Sequence, residues 1–72
     1  MKPLDLHGIR HCDVSRLIDD HIYSGIRKSY RHVEIITGNS PIMKSIVREC
    51  LKDYDMEARE EILNTGTLIV DL

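Results

Sequence analysis

Apolar and polar positions alternate in two rhythms along this chain, and the changes of rhythm divide it into six elements. At the N-terminus Leu4 and Leu6 alternate with Asp5 and His7, the period of a strand with one face in the core and one in solvent. Farther on, Val14, Leu17, Ile18 and Ile22 recur at helical intervals, with Arg16, Asp19 and Asp20 on the remaining surface. The pattern predicts a helix over 14–24, with Asp13 as N-cap, a polar turn at 11–12 before it, and Gly25 as its stop unless the helix runs one turn on through Ile26. A charged connector at 26–31 then leads to His32, Val33, Glu34, Ile35, Ile36 and Thr37. This β-branched run, bounded by Gly38, reads as a second strand with Val33 and Ile35 on one face and Glu34 and Ile36 on the other.

Ser40 is the expected N-cap of a second helix and Pro41 its first residue, where a fixed φ and a missing N–H do no harm. Ile42, Ile46, Val47, Cys50, Leu51 and Tyr54 supply its apolar stripe; Lys44, Arg48, Glu49 and Lys52 face solvent. Residues 56–62 read as an edge strand, with Met56 and Ala58 alternating with Glu57 and Arg59. Asn64, Thr65 and Gly66 read as a turn. Residues 67–72 read as a last strand, with Leu68, Val70 and Leu72 on one face and Ile69 and Asp71 on the other. The order β-α-β-α-β-β implies a parallel crossover followed by a hairpin. The expected fold is therefore α/β: a two-layer sandwich in one domain, residues 1–72, with two helices on one face of a four-stranded mixed sheet. Leu4, Leu6, Leu17, Ile18, Ile46, Val47, Leu51, Leu68 and Val70 would form the core. Asp5, His7, Glu34, Ile36, Ile69 and Asp71 would show on the open face, where two exposed isoleucines among charges make a docking surface.

Composition narrows this picture. The 72 residues are 42% hydrophobic and 31% charged, which suits one small soluble domain with little stability to spare. With no Trp, no Phe and three Tyr, the core must be aliphatic. No apolar run approaches the roughly 20 residues that span a bilayer, and the first residues lack a secretory stretch. Cys12 and Cys50 have neither metal-pair spacing nor the number for a disulfide framework, so both are expected to be reduced, in a cytoplasmic monomer without membrane partners. A net charge of −2 argues against a general electrostatic nucleic-acid binder but leaves room for a local basic patch. The dense cationic cluster is Arg27, Lys28 and Arg31, with His32 beside it. Tyr30 lies within it and is the better candidate for stacking on a base, whereas Tyr54 fits the core stripe.

Two turns fall where ligands gather in open α/β sheets, beyond the carboxyl ends of parallel strands. One is His7-Gly8, with Arg10 just past it. The other is Thr37-Gly38-Asn39-Ser40, which opens directly into a helix N-terminus and so suits an anion. A carboxylate, an imidazole and a guanidinium within six residues can position and hydrolyse a phosphodiester; they also describe an ordinary solvent-facing strand end. His7, His11 and Cys12 lack a fourth ligand for a structural metal.

Taken together, these residues resemble the Smr (small MutS-related) domain. Leu4-Asp5-Leu6-His7-Gly8-Ile9-Arg10 matches the family's opening Leu-Asp-Leu-His-Gly, a free position, then Arg. Residues 33–38 resemble its second strand and the start of its Thr-Gly-x-Gly motif, and Gly66 with 70–72 its closing hairpin. The resemblance spans essentially the whole chain. It implies a nucleic-acid-binding domain, with endonuclease activity on DNA or RNA in several members, in which Asp5 and His7 would be the catalytic pair, Thr37 and Gly38 would hold the backbone phosphate, and Arg10 would contact nucleic acid. Asp5 would orient the imidazole or hold a divalent cation such as Mg or Mn. The chain departs from the pattern at Ser40, where the loop's second glycine is expected, at Asn39, often Lys in relatives, and at Leu63 and Asn64, where closing glycines are expected. Three readings follow: a phosphodiesterase using His7 as general acid or base; a binding module without chemistry, using Arg10, Thr37, Gly38, Asn39, Ser40, Arg27, Lys28 and Arg31; and a protein-interaction domain using Ile36 and Ile69.

Overall fold

The computed structural model describes residues 2–72. Its elements are β1 (Leu4–Asp5), α1 (His11–Arg27), β2 (His32–Ile36), α2 (Pro41–Lys52), β3 (Ala58–Glu61) and β4 (Asn64–Asp71). The sheet order is β1-β2-β4-β3, with β1 parallel to β2 and β4 antiparallel to both its neighbours. Both helices cover one face, so the expected α/β layering and mixed four-stranded sheet are what the chain adopts. Leu6, Val33, Ile35, Leu68 and Val70 from the sheet meet Val14, Ile18 and Ile22 from α1 and Met43, Val47 and Leu51 from α2 in one aliphatic core. Leu4, Leu17 and Ile46, expected inside, are half-buried at its margin.

The helix ends differ from the sequence reading, for local reasons. α1 begins at His11 with Arg10 as N-cap, and no side chain caps it. The turn over 6–9 is closed by the Ile9 N–H donating to the Leu6 carbonyl (3.1 Å), with Gly8 at φ +76° in its third position, as a type II turn requires. That turn delivers the chain to Arg10 already in helix-entering geometry, so Asp13, the expected cap, sits inside the first turn, where its charge still complements the helix dipole. At the other end Gly25 does not stop the helix; it is buried in the last turn. The stop is a Schellman motif. Tyr30 N–H donates to the Gly25 carbonyl and Ser29 N–H to the Ile26 carbonyl, both at 3.0 Å, with Ser29 at φ +59° where glycine is preferred. α2 ends the same way: Met56 N–H reaches the Leu51 carbonyl, Asp55 N–H the Lys52 carbonyl, and Asp55 has φ +54°.

α2 starts as expected, with Ser40 Oγ accepting the Met43 N–H at 3.1 Å and Pro41 at the first helical position. Its buried face is Met43, Val47 and Leu51. Ile42, assigned to the stripe from the sequence, lies about 140° around the helix from Val47 and is 63% exposed. Tyr54 is not core either: its ring is part exposed, and its hydroxyl donates to the Asp19 carboxylate of α1. That bond, with the negative charge beside it, pushes the phenol up to about 12.

The last two strands also shift. Asn64, Thr65 and Gly66, expected as a turn, belong to β4, and the hairpin tip is Ile62-Leu63. Their path is irregular: the β3–β4 pairing jumps from Glu60–Leu68 to Glu61–Asn64, the Gly66 N–H donates to the Asn64 side chain at 3.1 Å, and the Gly66 carbonyl ties the segment to the chain beyond β2 by accepting the N–H groups of Thr37 (2.9 Å) and Gly38 (3.0 Å). On the open sheet face Ile69 is 9% exposed and Ile36 is half-buried, so the expected docking surface of two exposed isoleucines is not formed. The cross-strand neighbours of Ile69 are Glu34 and Arg59, long side chains that flank it on both sides. Across the layers, Lys44 Nζ and Glu60 Oε1 pair at 2.9 Å and tie α2 to β3. His21 ties α1 to β2, its Nε2 lying 3.0 Å from the Glu34 carbonyl.

Burial holds the His21 imidazole below its ordinary value of 6.5, against the opposing pull of the Glu34 carbonyl. Folding therefore weakens proton binding here. The group adds stability above about pH 6.5, and that stability drains as pH falls through the lowered folded value. His21→Gln, which keeps a donor for the Glu34 carbonyl, should lose less stability than the native chain between pH 7.5 and 5, read from urea midpoints; equal losses would contradict this. Ser29→Gly and Asp55→Gly should each stabilise the fold by roughly 0.5–1 kcal/mol by relieving a left-handed side chain, partly offset by backbone entropy. Thermal melts should rise by about 2–8 °C, and an unchanged melt would count against strain at these two positions.

Candidate nucleic-acid interface

The site follows from one register. Leu4 stands opposite Ile35 and Asp5 opposite Ile36 in parallel, and Leu6 N–H donates to the Ile36 carbonyl at 2.9 Å. The two strands therefore end level, and the turns that follow them, 6–9 and 37–40, lie side by side on one rim of the sheet. α1 and α2 both start at this rim, so their positive dipole ends point toward it. β4 also begins here, because it runs antiparallel to β2 and places Gly66 against Gly38.

Asp5, His7 and Arg10 are all exposed on this rim. Asp5 Oδ1 accepts the His7 backbone N–H at 2.9 Å, closing an Asx-turn. The carboxylate thus positions His7 through the main chain of the turn that carries it. Thr37 is buried, and its hydroxyl donates to the Gly38 carbonyl at 2.9 Å. Since the Thr37 and Gly38 amides both donate to Gly66, these two residues build the turn from within. Backbone donors for a ligand are left to Asn39, Ser40 and Ile42, whose N–H groups make no turn or cap hydrogen bond among the described residues. The Asn39 side chain is tied across to β4, accepting from the Thr65 hydroxyl at 3.1 Å.

The basic cluster stands elsewhere. Arg27 and Lys28 close α1, and Arg31 precedes β2, whose first residue pairs with Asp71 at the end of β4. The length of β2, roughly 17 Å, separates them from the rim. There the Arg27 guanidinium lies 5.6 Å from the centre of the Tyr23 ring, a cation–π contact, and Tyr30 is exposed nearby in sequence. A cleft of about 370 Å³ lined by Arg48, Lys52, Met56, Glu57 and Ala58 is also at that far end, so the rim is not built around it.

No group of three His, Cys, Asp or Glu side chains is placed to hold a metal ion among the described residues. Asp5 is the exposed carboxylate of the rim, and a hard cation bound there would have to complete its shell with water and phosphate oxygens. No helix of the described residues is long and apolar enough to cross a membrane, and both cysteines are free. Sequence reasoning overlooked two features. His21 gives no signal beyond its place between apolar positions. Ile62, read as the end of a strand, and Leu63, which stands where a closing glycine is expected, are each 94% exposed at the hairpin tip.

An α/β layer pair with its polar turns gathered beyond two parallel strands defines a small ligand-binding module. A family model for the Smr domain matches residues 4–72, and the chain belongs to that family of nucleic-acid-binding, nuclease-like modules. No match was found among curated proteins or among solved structures.

If Asp5 acts chiefly by ordering the turn, its acceptor matters more than its charge. Asp5→Ala should cost about 1 kcal/mol and speed exchange of the His7 amide proton, while Asp5→Asn should retain most of the protection. Equal exchange in the two variants, read by NMR, would show that the Asx-turn does not hold the imidazole.

Proposed function

We propose that this chain is an endonuclease that cleaves phosphodiester bonds in DNA or RNA, working in the cytoplasm as a monomer. The observation that carries the reading is the level ending of β1 and β2, which sets the His7 turn beside the amides that open α2. A phosphate seated at the Asn39–Ser40 amides and the Arg10 guanidinium would lie between a fixed donor set and an imidazole. His7 then transfers the proton, as base toward an attacking water or 2′-hydroxyl or as acid toward the leaving oxygen. The helix N-terminus and Arg10 offset the negative charge that develops on the phosphoryl oxygens. A divalent cation at Asp5 would supply Lewis-acid assistance.

A second reading, binding without chemistry, draws support from the engagement of Asp5 with the turn backbone and of the Thr37 and Gly38 amides with Gly66. Labelled single- and double-stranded DNA and RNA, with and without chelator, separate the two. His7→Ala should lower the cleavage rate by about 10²–10⁴-fold while leaving binding in place. Equal residual cleavage in both proteins would remove the nuclease reading and leave the binder.

A further inference from the structure

The feature that neither the fold nor the proposed chemistry uses is the tip of the β3–β4 hairpin. A two-residue hairpin loop favours glycine and asparagine, whose backbones tolerate positive φ. This loop carries Ile62 and Leu63 instead; neither has a positive φ, and each is 94% exposed. They serve neither the turn nor the core, and placing two large aliphatic side chains in water is a cost that the fold does not recover.

The tip is also held in place. Glu60, at its base, pairs with Lys44 of α2 at 2.9 Å, and the Lys44 side chain is only 13% exposed. On the other limb Thr65 donates to Asn39, and the Gly66 carbonyl accepts the Thr37 and Gly38 amides. Each of these contacts reaches the turn at 37–40 or the first turn of the helix that follows it. Ile62 and Leu63 are four and three residues from Gly66, so their backbones lie no more than about 13 Å from Gly66, which itself abuts Gly38 at the start of the turn that carries the proposed phosphate seat. That is three or four stacked bases at about 3.4 Å per step.

We propose that Ile62 and Leu63 form a wedge that packs against unpaired bases of a nucleic-acid strand whose backbone is held at 39–42. This rests on the nucleic-acid reading and narrows the substrate to strands with accessible base faces: single strands, bulges or opened duplex ends. With a backbone seated at polar amides, the neighbouring apolar surface meets what the backbone carries, and aliphatic side chains are known to insert between base steps. A continuous duplex would have to unstack first and binds more weakly.

The test compares the native chain with the double variant I62S/L63S on an oligonucleotide that carries a fluorescent purine analogue, as a single strand and annealed to its complement. Both positions are solvent-exposed, so the variant should keep the native circular dichroism spectrum and melt. The native chain should prefer the single strand and raise the analogue's fluorescence by unstacking it. The variant should bind roughly tenfold more weakly without the fluorescence rise, and with an unchanged salt slope because the phosphate contacts remain. Native binding that the double substitution leaves unaltered would overturn the wedge and spare the nucleic-acid reading. Loss of self-association in the variant with unaltered nucleic-acid binding would likewise overturn it, as an interface between copies. No binding by the native chain to either form would overturn the nucleic-acid reading and the wedge with it.

Discussion

A strand of two residues holds the rim of this protein together. β1 pairs with β2 through Leu4 and Asp5, and one further bond, from the Leu6 amide to the Ile36 carbonyl, extends the pairing into the turn. So short a strand has little ladder to fix its register. The anchor is the Leu6 side chain, 1% exposed in the aliphatic core. Because side chains alternate across a strand, burying Leu6 turns Asp5 outward, and a slip of one residue would bury the carboxylate and expose the leucine. The place of the acidic and imidazole groups is thus set by hydrophobic burial one residue away from each.

A second constraint joins the far end of the chain to this rim. A Cβ on Gly66 would stand 3.3 Å from the Gly38 Cα, closer than most such contacts allow. The bare backbone lets the Gly66 carbonyl take two amides at once, so β4 is locked to the turn after β2 rather than merely running beside it. Gly38 itself has φ +65°, which a side chain would strain. Rim, helix start and hairpin base therefore form one braced unit drawn from three separate stretches of the chain. The missing second loop glycine is accommodated because Ser40 does other work, capping α2.

The parts legible in the sequence were those governed by local pattern. Alternation around Leu4 and Leu6, the β-branched run of β2, and the Ser40-Pro41 start of α2 each carry a short-range cause. What escaped was set by tertiary context or by residues acting against type. Ser29 and Asp55 end helices from a conformation that usually announces itself with glycine, so Gly25 drew attention that belonged four residues on. Ile42 and Met43 are equally apolar in a list, and only the angular position of Val47 shows which one faces the core. Thr37 and Gly38 were expected to hold a phosphate because nothing local reveals that Gly66, far along the chain, occupies both their amides. Residues 5–10 and 37–40 lie on one rim, while Arg27, Lys28 and Arg31 stand at the opposite end because α1 carries the chain there.

That separation changes how the rim must recognise a polyanion. Across the segments that compose it, 5–11, 37–42 and 62–66, Arg10 is the one permanent cation, and Lys44 nearby is already paired with Glu60. The whole chain carries a net charge of −2. Phosphate neutralisation, which usually supplies most of the affinity for a nucleic-acid backbone, is therefore scarce at the rim where we propose the chemistry. In the proposed reading, recognition at this rim rests on fixed amide donors at the start of α2, on helix dipoles, and on apolar contact with bases. An interface of that kind gains little from a featureless duplex, whose bases are hidden and whose charge is its main handle. It gains most from a strand whose bases are free to be touched, and the braced hairpin beside the turn is the only large exposed apolar element among the described rim residues apart from Ile42.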